Sequence, residues 1–306
     1  MTASVKFYLF FVFSILFFLS SCETKEKKNK ETIIEGKANI YVDESIFPIV
    51  EDEQIVFQTE YKAKLNLIAK SENEIIIDLF YDTAKIAILT RSLTEKEIKQ
   101  YKNKKITPRI TPFAYDAIAL IKNETSNDSI IALEDIVNFI KGNWTPNIKG
   151  LVFDNPNSSA MRFVSDVVGL PLADKRKVYS FKTTADVIKY VSENDGMVGV
   201  VGMNWILQPP IELQPELEKV KVLGVKGLNA TNYYYPTQDN LAQNLYPMSR
   251  RLYFINCQGY TGLGMGFASF ISGERGQRII LKSGLVPEHF PSRKVVIRNT
   301  VTKIKN

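Results

Sequence analysis

Three short stretches of the 306-residue chain carry groups suited to holding an oxyanion. Asp43-Glu44-Ser45-Ile46 and Asn157-Ser158-Ser159-Ala160 each follow an apolar run and precede a helical pattern, so each reads as a strand-to-helix loop. A helix N-terminus exposes unpaired N–H groups and the positive end of the helix dipole. Small residues let an anion approach that backbone, and serine hydroxyls add donors. The same serines would serve equally as ordinary N-caps. Thr90-Arg91-Ser92, at the end of a strand, adds a guanidinium able to form a two-pronged fork with an oxyanion.

Other chemistries are excluded by what is missing. His289 is the one histidine, so multi-histidine metal sites are ruled out, and His-dependent catalysis would have to run through it. Cys22 and Cys257 cannot build a cysteine zinc cluster or a disulfide framework, and Cys257 in LYFINC reads as a buried small apolar side chain. The phosphate loop of nucleoside triphosphatases, H-E-x-x-H, S-x-x-K and G-x-S-x-G are all absent. Gly262-x-Gly264-x-Gly266 has the wrong third spacing for a dinucleotide site and reads as close helix packing, and Tyr233–Tyr235 reads as half-buried surface. The 39 basic residues are interspersed with 33 acidic ones, which is no nucleic-acid footprint. No metal, no cofactor, no nucleic-acid partner and no enzymatic activity are expected.

The elements that must position these loops alternate. Strands are expected at Ala38–Val42, Lys64–Ala69, Lys85–Thr90, Ala114–Ile121, Gly150–Phe153, Met197–Gly202, Lys219–Val225 and Tyr246–Asn256. Helices are expected near Phe47–Glu53, Glu74–Tyr81, Thr94–Tyr101, Ala132–Lys141, Ala160–Val168, Thr184–Glu193, Gly262–Ile271 and Gly276–Lys282. Thr94 followed by Glu97 is a capping box. Repeated strand-then-helix units predict an α/β fold with largely parallel sheets.

The first 21 residues read as a signal peptide. Lys6 precedes an apolar run, Phe7–Leu19, which is too short for the roughly 20 helical residues that span a bilayer. Leu19-Ser20-Ser21-Cys22 resembles the bacterial lipobox, which implies lipidation of Cys22; several acyl chains would then hold the protein on a membrane. Residues 22–37 read as the lipidated Cys and a polar tether. An exported, membrane-anchored lipoprotein is expected.

From Ala38 to Pro287 the chain resembles the phosphate-binding proteins of the Pst type, which deliver phosphate to an ABC transporter. Seven pieces match in order. Thr90-Arg91-Ser92-Leu93-Thr94-x-x-Glu97 is similar to S-R-x-L-T-x-x-E, and Ala114–Asn123 to A-x-D-A-I-A-V-I-V-N. Leu133–Trp144 is similar to L-x-x-L-x-x-I-F-x-G-x-x-x-W, and Asn157–Phe163 sits at the S-G-T-x-x-x-F anion loop. Gly196–Val201 is similar to G-A-I-G-Y-V, Tyr246–Tyr253 to Y-P-L-S-R-x-L-Y, and Phe267–Pro287 to F-x-x-F-x-x-S-x-x-G-Q-x-I-x-x-x-x-G-Y-V-P.

The resemblance implies a two-lobed, type II-like periplasmic-binding-protein fold with a two-strand hinge. Lobe one would be 38–120 plus 232–306 and lobe two 121–231, crossing near Ala119–Lys122 and Asn229–Tyr235. It implies inorganic phosphate as ligand, held by Ser45, Ile46, Thr90, Arg91, Ser158, Ser159 and Ala160, with an ABC transporter permease as partner and a monomeric protein. Two departures stand out. Ser158-Ser159-Ala160 replaces Ser-Gly-Thr, and Asp154 stands where the family usually has an arginine. Thr90 stands near the position of the family's proton-accepting Asp, so Asp43, Glu44 or Asp154 is a candidate for that role and Arg162 for the missing guanidinium. An Arg162 salt bridge on its helix surface is an equal reading, and Arg250 and Arg251 are expected in interlobe or surface pairing. The departures leave open another oxyanion, or a sensor or assembly lipoprotein with a degenerate site.

Overall fold

The computed structural model describes residues 31–172 and 175–292. The expected signal peptide, Cys22 and the tether up to residue 30 lie outside the described residues, as does 293–306 of expected lobe one. The described fold belongs to one compact unit that begins at Thr32.

In chain order, β1 (Glu35–Asp43) runs through a 3₁₀ turn, Glu44–Ile46, into α1 (Phe47–Glu60). β2 (Lys62–Lys70), α2 (Glu72–Phe80), β3 (Ile86–Leu89), α3 (Glu95–Asn103) and the 15-residue β4 (Arg109–Asn123) follow. Next come β5 (Ile130–Ala132), α4 (Leu133–Ile140), β6 (Gly150–Phe153), α5 (Ser159–Val168), β7 (Val178–Ser180), α6 (Thr184–Glu193) and β8 (Met197–Gly202). The remainder is α7 (Asn204–Leu207), α8 (Gln214–Leu217), β9 (Val220–Val222), β10 (Gly224–Lys226), β11 (Tyr233–Tyr234), α9 (Gln238–Ala242), β12 (Ser249–Asn256), α10 (Leu263–Ser272), α11 (Glu274–Lys282) and β13 (Val286–Pro287).

The main sheet has the order β2-β1-β3-β12-β4-β8-β6-β7, with β9 and β13 also on β4; β11-β10-β5 form a small sheet. Its outer strands pair in parallel, β1 with β2 and β3, and β6 with β7 and β8. The centre is antiparallel: β3 with β12, β12 with β4, and β4 with β8. β4 is the shared strand. It pairs with β12 over Arg109–Ala117 and with β8 over Ile118–Ile121.

Period-two alternation puts a core on each face of the first half-sheet. Ile86 and Ile88 of β3 and Leu252 and Phe254 of β12 face Phe57 of α1, Phe267 of α10 and Ile280 of α11. Ala87, Leu89 and Ile255 face the other way, onto Ile75 and Leu79 of α2, Tyr101 of α3 and the buried Cys257. A further core gathers Ala117–Ile121 of β4 with Leu151–Phe153, Ile136 of α4, Val164 of α5 and Val187 and Val191 of α6. Leu241, Tyr246 and Met248, which fall in expected lobe one, pack with this last core. The glycine spacing on α10 reflects close packing: a Cβ on Gly266 would stand 1.7 Å from the Ile33 carbonyl oxygen.

Three expectations are corrected. The strand expected at Lys219–Val225 is two strands in different sheets. The Leu223 N–H donates to the Leu120 carbonyl at 2.9 Å, and one residue on the Gly224 N–H donates to Ser129 O at 2.9 Å, so the ladder passes from β4 to the small sheet. The strand expected from Tyr246 starts at Ser249, because Tyr246 turns inward to donate to Ile118 O at 2.8 Å and Pro247 has no N–H. The polar stretch ending at Lys37 is already strand from Glu35, paired with Lys62–Lys64.

Candidate functional site

The two serine loops meet. At the end of β1, Asp43 Oδ1 accepts from the Ser45 N–H at 3.0 Å and from the Ser45 hydroxyl at 2.8 Å, which folds the 3₁₀ turn. At the start of α5, Ser158 Oγ accepts the Met161 N–H at 3.2 Å, an N-cap that leaves the Ser159 and Ala160 N–H groups without an intrahelical partner. Ser45 Oγ and Ser159 Oγ stand 3.0 Å apart. The Ile46 side chain points into the first core.

Arg250 joins them. It lies on β12 directly across from Asp116 on β4, and only 4% of it is exposed. Its Nε and Nη2 donate to Asp116 Oδ2 at 3.1 and 2.8 Å. Nη2 also donates to Ser45 Oγ at 2.9 Å, and Nη1 to Ser159 Oγ at 3.1 Å. One buried guanidinium therefore touches both serine loops. The sequence held a signal for this: a charge inside each of two apolar strands, Asp116 in AYDAIALI and Arg250 in SRRLYFIN, and buried charges need partners. Arg251, its neighbour, pairs with Glu288 at 2.9 Å and lies over the rings of Tyr115 and Tyr253.

Around Arg250 stand carboxyl groups with spare capacity. Asp43 Oδ2, Asp116 Oδ1 and Asp154 Oδ1 are buried with no hydrogen-bond partner among the described residues. Burial pushes the Asp43 carboxyl up to about 6, with the Glu72 charge adding to it and Arg250 opposing. Burial also raises Asp116 and Asp154, against the pull of Arg250. Glu44 is pushed up to about 8 by burial and by the Asp154 charge, although the Thr184 N–H and hydroxyl donate to its two oxygens at 2.9 and 2.7 Å.

The first loop is held from the β8 side. Asn204 Nδ2 donates to the Ser45 carbonyl at 2.7 Å and the Trp205 indole N–H to the Glu44 carbonyl at 3.1 Å. Gly202 is what lets the loop sit so close: a Cβ there would stand 2.3 Å from Ser45 O.

Thr90, Arg91 and Arg162 gather on a different residue, Glu72. Thr90 Oγ1 donates to Glu72 Oε2 at 3.1 Å and Arg91 Nε to Oε1 at 3.2 Å. Arg162 Nε reaches Oε1 at 2.5 Å and Nη2 reaches Oε2 at 3.2 Å, while its Nη1 takes Asp166 at 2.9 Å. The remaining Arg91 nitrogens fork onto Glu97 at 2.9 Å each. Glu72 was not singled out from the sequence. The signal available was its place at the first position of a helix capped by Ser71 and Glu74, buried beside an arginine-bearing strand end.

Chemically, the Ser45–Ser159–Arg250 cluster combines one guanidinium, two hydroxyls and a helix N-terminus with unpaired carboxyl oxygens. Such a set suits an oxyanion that itself carries protons. Among the described residues no group of three or more His, Cys, Asp or Glu side chains could hold a metal ion, and no helix is long and apolar enough to cross a membrane.

Residues 29–275 match the family model described as the PBP superfamily domain. The phosphate-binding protein PstS of Borreliella burgdorferi is 25% identical over 294 residues, covering 90% of this chain and 98% of that protein. A substrate-binding protein of Clostridium perfringens solved with bound phosphate superposes with a TM-score of 0.69 at 19% identity, covering 83% of this chain and all of the other. An ABC-type phosphate transport receptor of Vibrio cholerae gives 0.60 at 17% identity, over 82% of this chain and all of the other. At these identities the two solved structures carry the fold.

Proposed function

The chain belongs to the PBP superfamily, and we propose that within it the protein is a binding protein for inorganic phosphate that serves an ABC transporter. The observation that carries this reading is the Arg250 guanidinium, donating at once to Ser45 of one loop and Ser159 of the other. A tetrahedral anion inserted there accepts from the guanidinium, both hydroxyls and the N-terminus of α5. The unpaired oxygens of Asp43 and Asp154 accept from phosphate hydroxyls and repel an anion that has none. The kinship with a protein named for phosphate binding supports the same choice.

Binding groups come from both halves of the main sheet, so ligand capture is a closure of two lobes. We place the crossings at Ala117–Ile118 of β4 and at Met248–Ser249, where β12 begins; the two lie side by side where the Ile118 N–H donates to Met248 O at 3.0 Å. In this reading the protein acts by binding and release. A lipid on Cys22 would keep it at the outer face of a membrane, as a monomer next to its permease. Asp154, standing where Pst-type relatives have an arginine, favours a second reading in which another oxyanion is the ligand.

Thermal unfolding of the full chain tests the proposal. Phosphate at 100 times its dissociation constant stabilises a protein by about 2.7 kcal/mol, which raises the midpoint by several degrees. No shift at millimolar phosphate, with a shift produced by sulfate or molybdate, would replace phosphate by another anion.

A further inference from the structure

Independently of the phosphate reading, we infer that the end of the second half-sheet remote from the serine loops is a docking surface for an anionic lipid bilayer, because it sets the exposed indole of Trp144 among the cations Lys141, Lys149, Arg176 and Lys177.

The loops that lead into β6 and β7 build this surface. Lys149 stands just before β6, whereas Asp154, beside the serine loops, stands just after it. β7 pairs with β6 in parallel, and Lys177 stands just before β7. Lys149 and Lys177 therefore share one edge of the sheet, separated from Asp154 by about 16 Å of extended chain. Between these loops and the end of α4 lies a groove of about 730 Å³, lined by Phe139, Trp144, Lys149, Arg176 and Lys177.

The indole is presented on a fixed turn. α4 stops at Ile140, Gly142 takes a φ of +83°, and the Asn143 N–H donates back to Asn138 O at 3.0 Å. Trp144 follows directly. It is 85% exposed, the most exposed large apolar side chain among the described residues. Lys149 is held by Asp195, at 3.7 Å from its carboxylate and 3.0 Å from its carbonyl. Lys141, Arg176 and Lys177 are exposed and have no ion-pair partner among the described residues.

The cations alone would suit any polyanion, and the indole narrows the choice. In water it leaves a large apolar face uncovered. At the headgroup level of a bilayer its ring is covered and its N–H stays among polar groups, while the cations meet lipid phosphates. This contact requires no lipid on Cys22, and it leaves the serine loops at the other end of β6 free.

Fluorescence tests the inference, since the chain has two tryptophans and the other, Trp205, is only 9% exposed. The full chain is mixed with phosphatidylcholine vesicles made with or without phosphatidylglycerol, some carrying brominated acyl chains. The expected result is a blue shift and quenching by bromine with the anionic vesicles only. Neutral vesicles control for the apolar run Phe7–Leu19, which can attach the chain to either kind. Trp144→Phe should remove the signal. Lys141→Gln, Arg176→Gln and Lys177→Gln together should weaken vesicle affinity about fivefold per cation, on the order of a hundredfold in all, with circular dichroism and phosphate titration unchanged. No response to either vesicle, an equal response to both, or a response undiminished in either variant would overturn the inference. The same shift with soluble heparin in place of vesicles would assign the surface to a soluble polyanion and overturn the bilayer. A failure to bind phosphate would leave all of these outcomes as they are.

Discussion

Glu72 and Arg162 lie 90 positions apart in the chain and meet through two hydrogen bonds, at 2.5 and 3.2 Å, joining the start of α2 to the first turn of α5. The contact ties the second half of the molecule to the first beside the serine cluster, and it needs no ligand. Asn73 adds a backbone bond in the same place, its N–H donating to Asn157 O at 3.4 Å.

Glu72→Gln should therefore loosen closure. Glu72 is almost fully buried while Arg162 is about a third exposed, so the loss is on the order of 1–2 kcal/mol. That corresponds to phosphate affinity weakened by about five- to thirtyfold. Small-angle scattering of the ligand-free protein should show a larger radius of gyration in the variant than in the parent. An unchanged radius and affinity would make the pair incidental to closure.

Arg250→Met should abolish phosphate binding and also destabilise the fold by about 3–5 kcal/mol, because Asp116 is left buried and charged without its partner. The paired change Arg250→Met with Asp116→Leu should recover most of that stability, since a buried ion pair replaced by apolar side chains is often neutral. It should recover none of the binding. Urea unfolding and phosphate titration of the two variants separate the structural role of the pair from its role in the site.

Much of the scaffold was legible in the sequence, and particular residues show where legibility stopped. Gly150–Phe153, Thr184–Glu193 and Met197–Gly202 have the bounds that apolar periodicity and capping predict. Periodicity says nothing about which ladder a residue joins, so the transfer at Leu223 from β4 to the small sheet was not readable. The serine loops were found because small hydroxyl residues after a strand have a local physical meaning. Arg250 was harder, because its role depends on a cross-strand neighbour 134 residues away. Arg91 shows the converse: the capping box Thr94–Glu97 was visible, but its carboxylate also captures the neighbouring guanidinium, which only the folded geometry reveals.

Gly202→Ala should displace the first anion loop. The added methyl would meet Ser45 O at 2.3 Å, and that carbonyl is fixed by Asn204. Overpacking of this kind costs about 1–3 kcal/mol. The larger effect should be on phosphate affinity, because Ser45 Oγ moves off Arg250. A variant with parental affinity would show that Ser45 is not part of the binding set.

Stability should depend on pH through Glu44. Its carboxyl is raised from 4.5 to about 8 in the folded state, so the folded form holds a proton that the unfolded form releases. The resulting stabilisation is complete below pH 4.5 and is lost as pH rises through about 8. Glu44→Gln, which keeps the shape and cannot ionise, should flatten this part of the profile in urea unfolding measured from pH 5 to 9. A profile equally steep in the variant would assign the dependence to other groups.

The central claim is that the Ser45–Ser159–Arg250 cluster binds phosphate and excludes sulfate. Isothermal titration of the full chain, first unfolded and refolded to strip carried-over ligand, measures this most directly at pH 7. Saturable one-to-one phosphate binding with no response to sulfate is expected, because only phosphate brings protons to Asp43 and Asp154. Equal binding of both anions, or heat from neither, would contradict it.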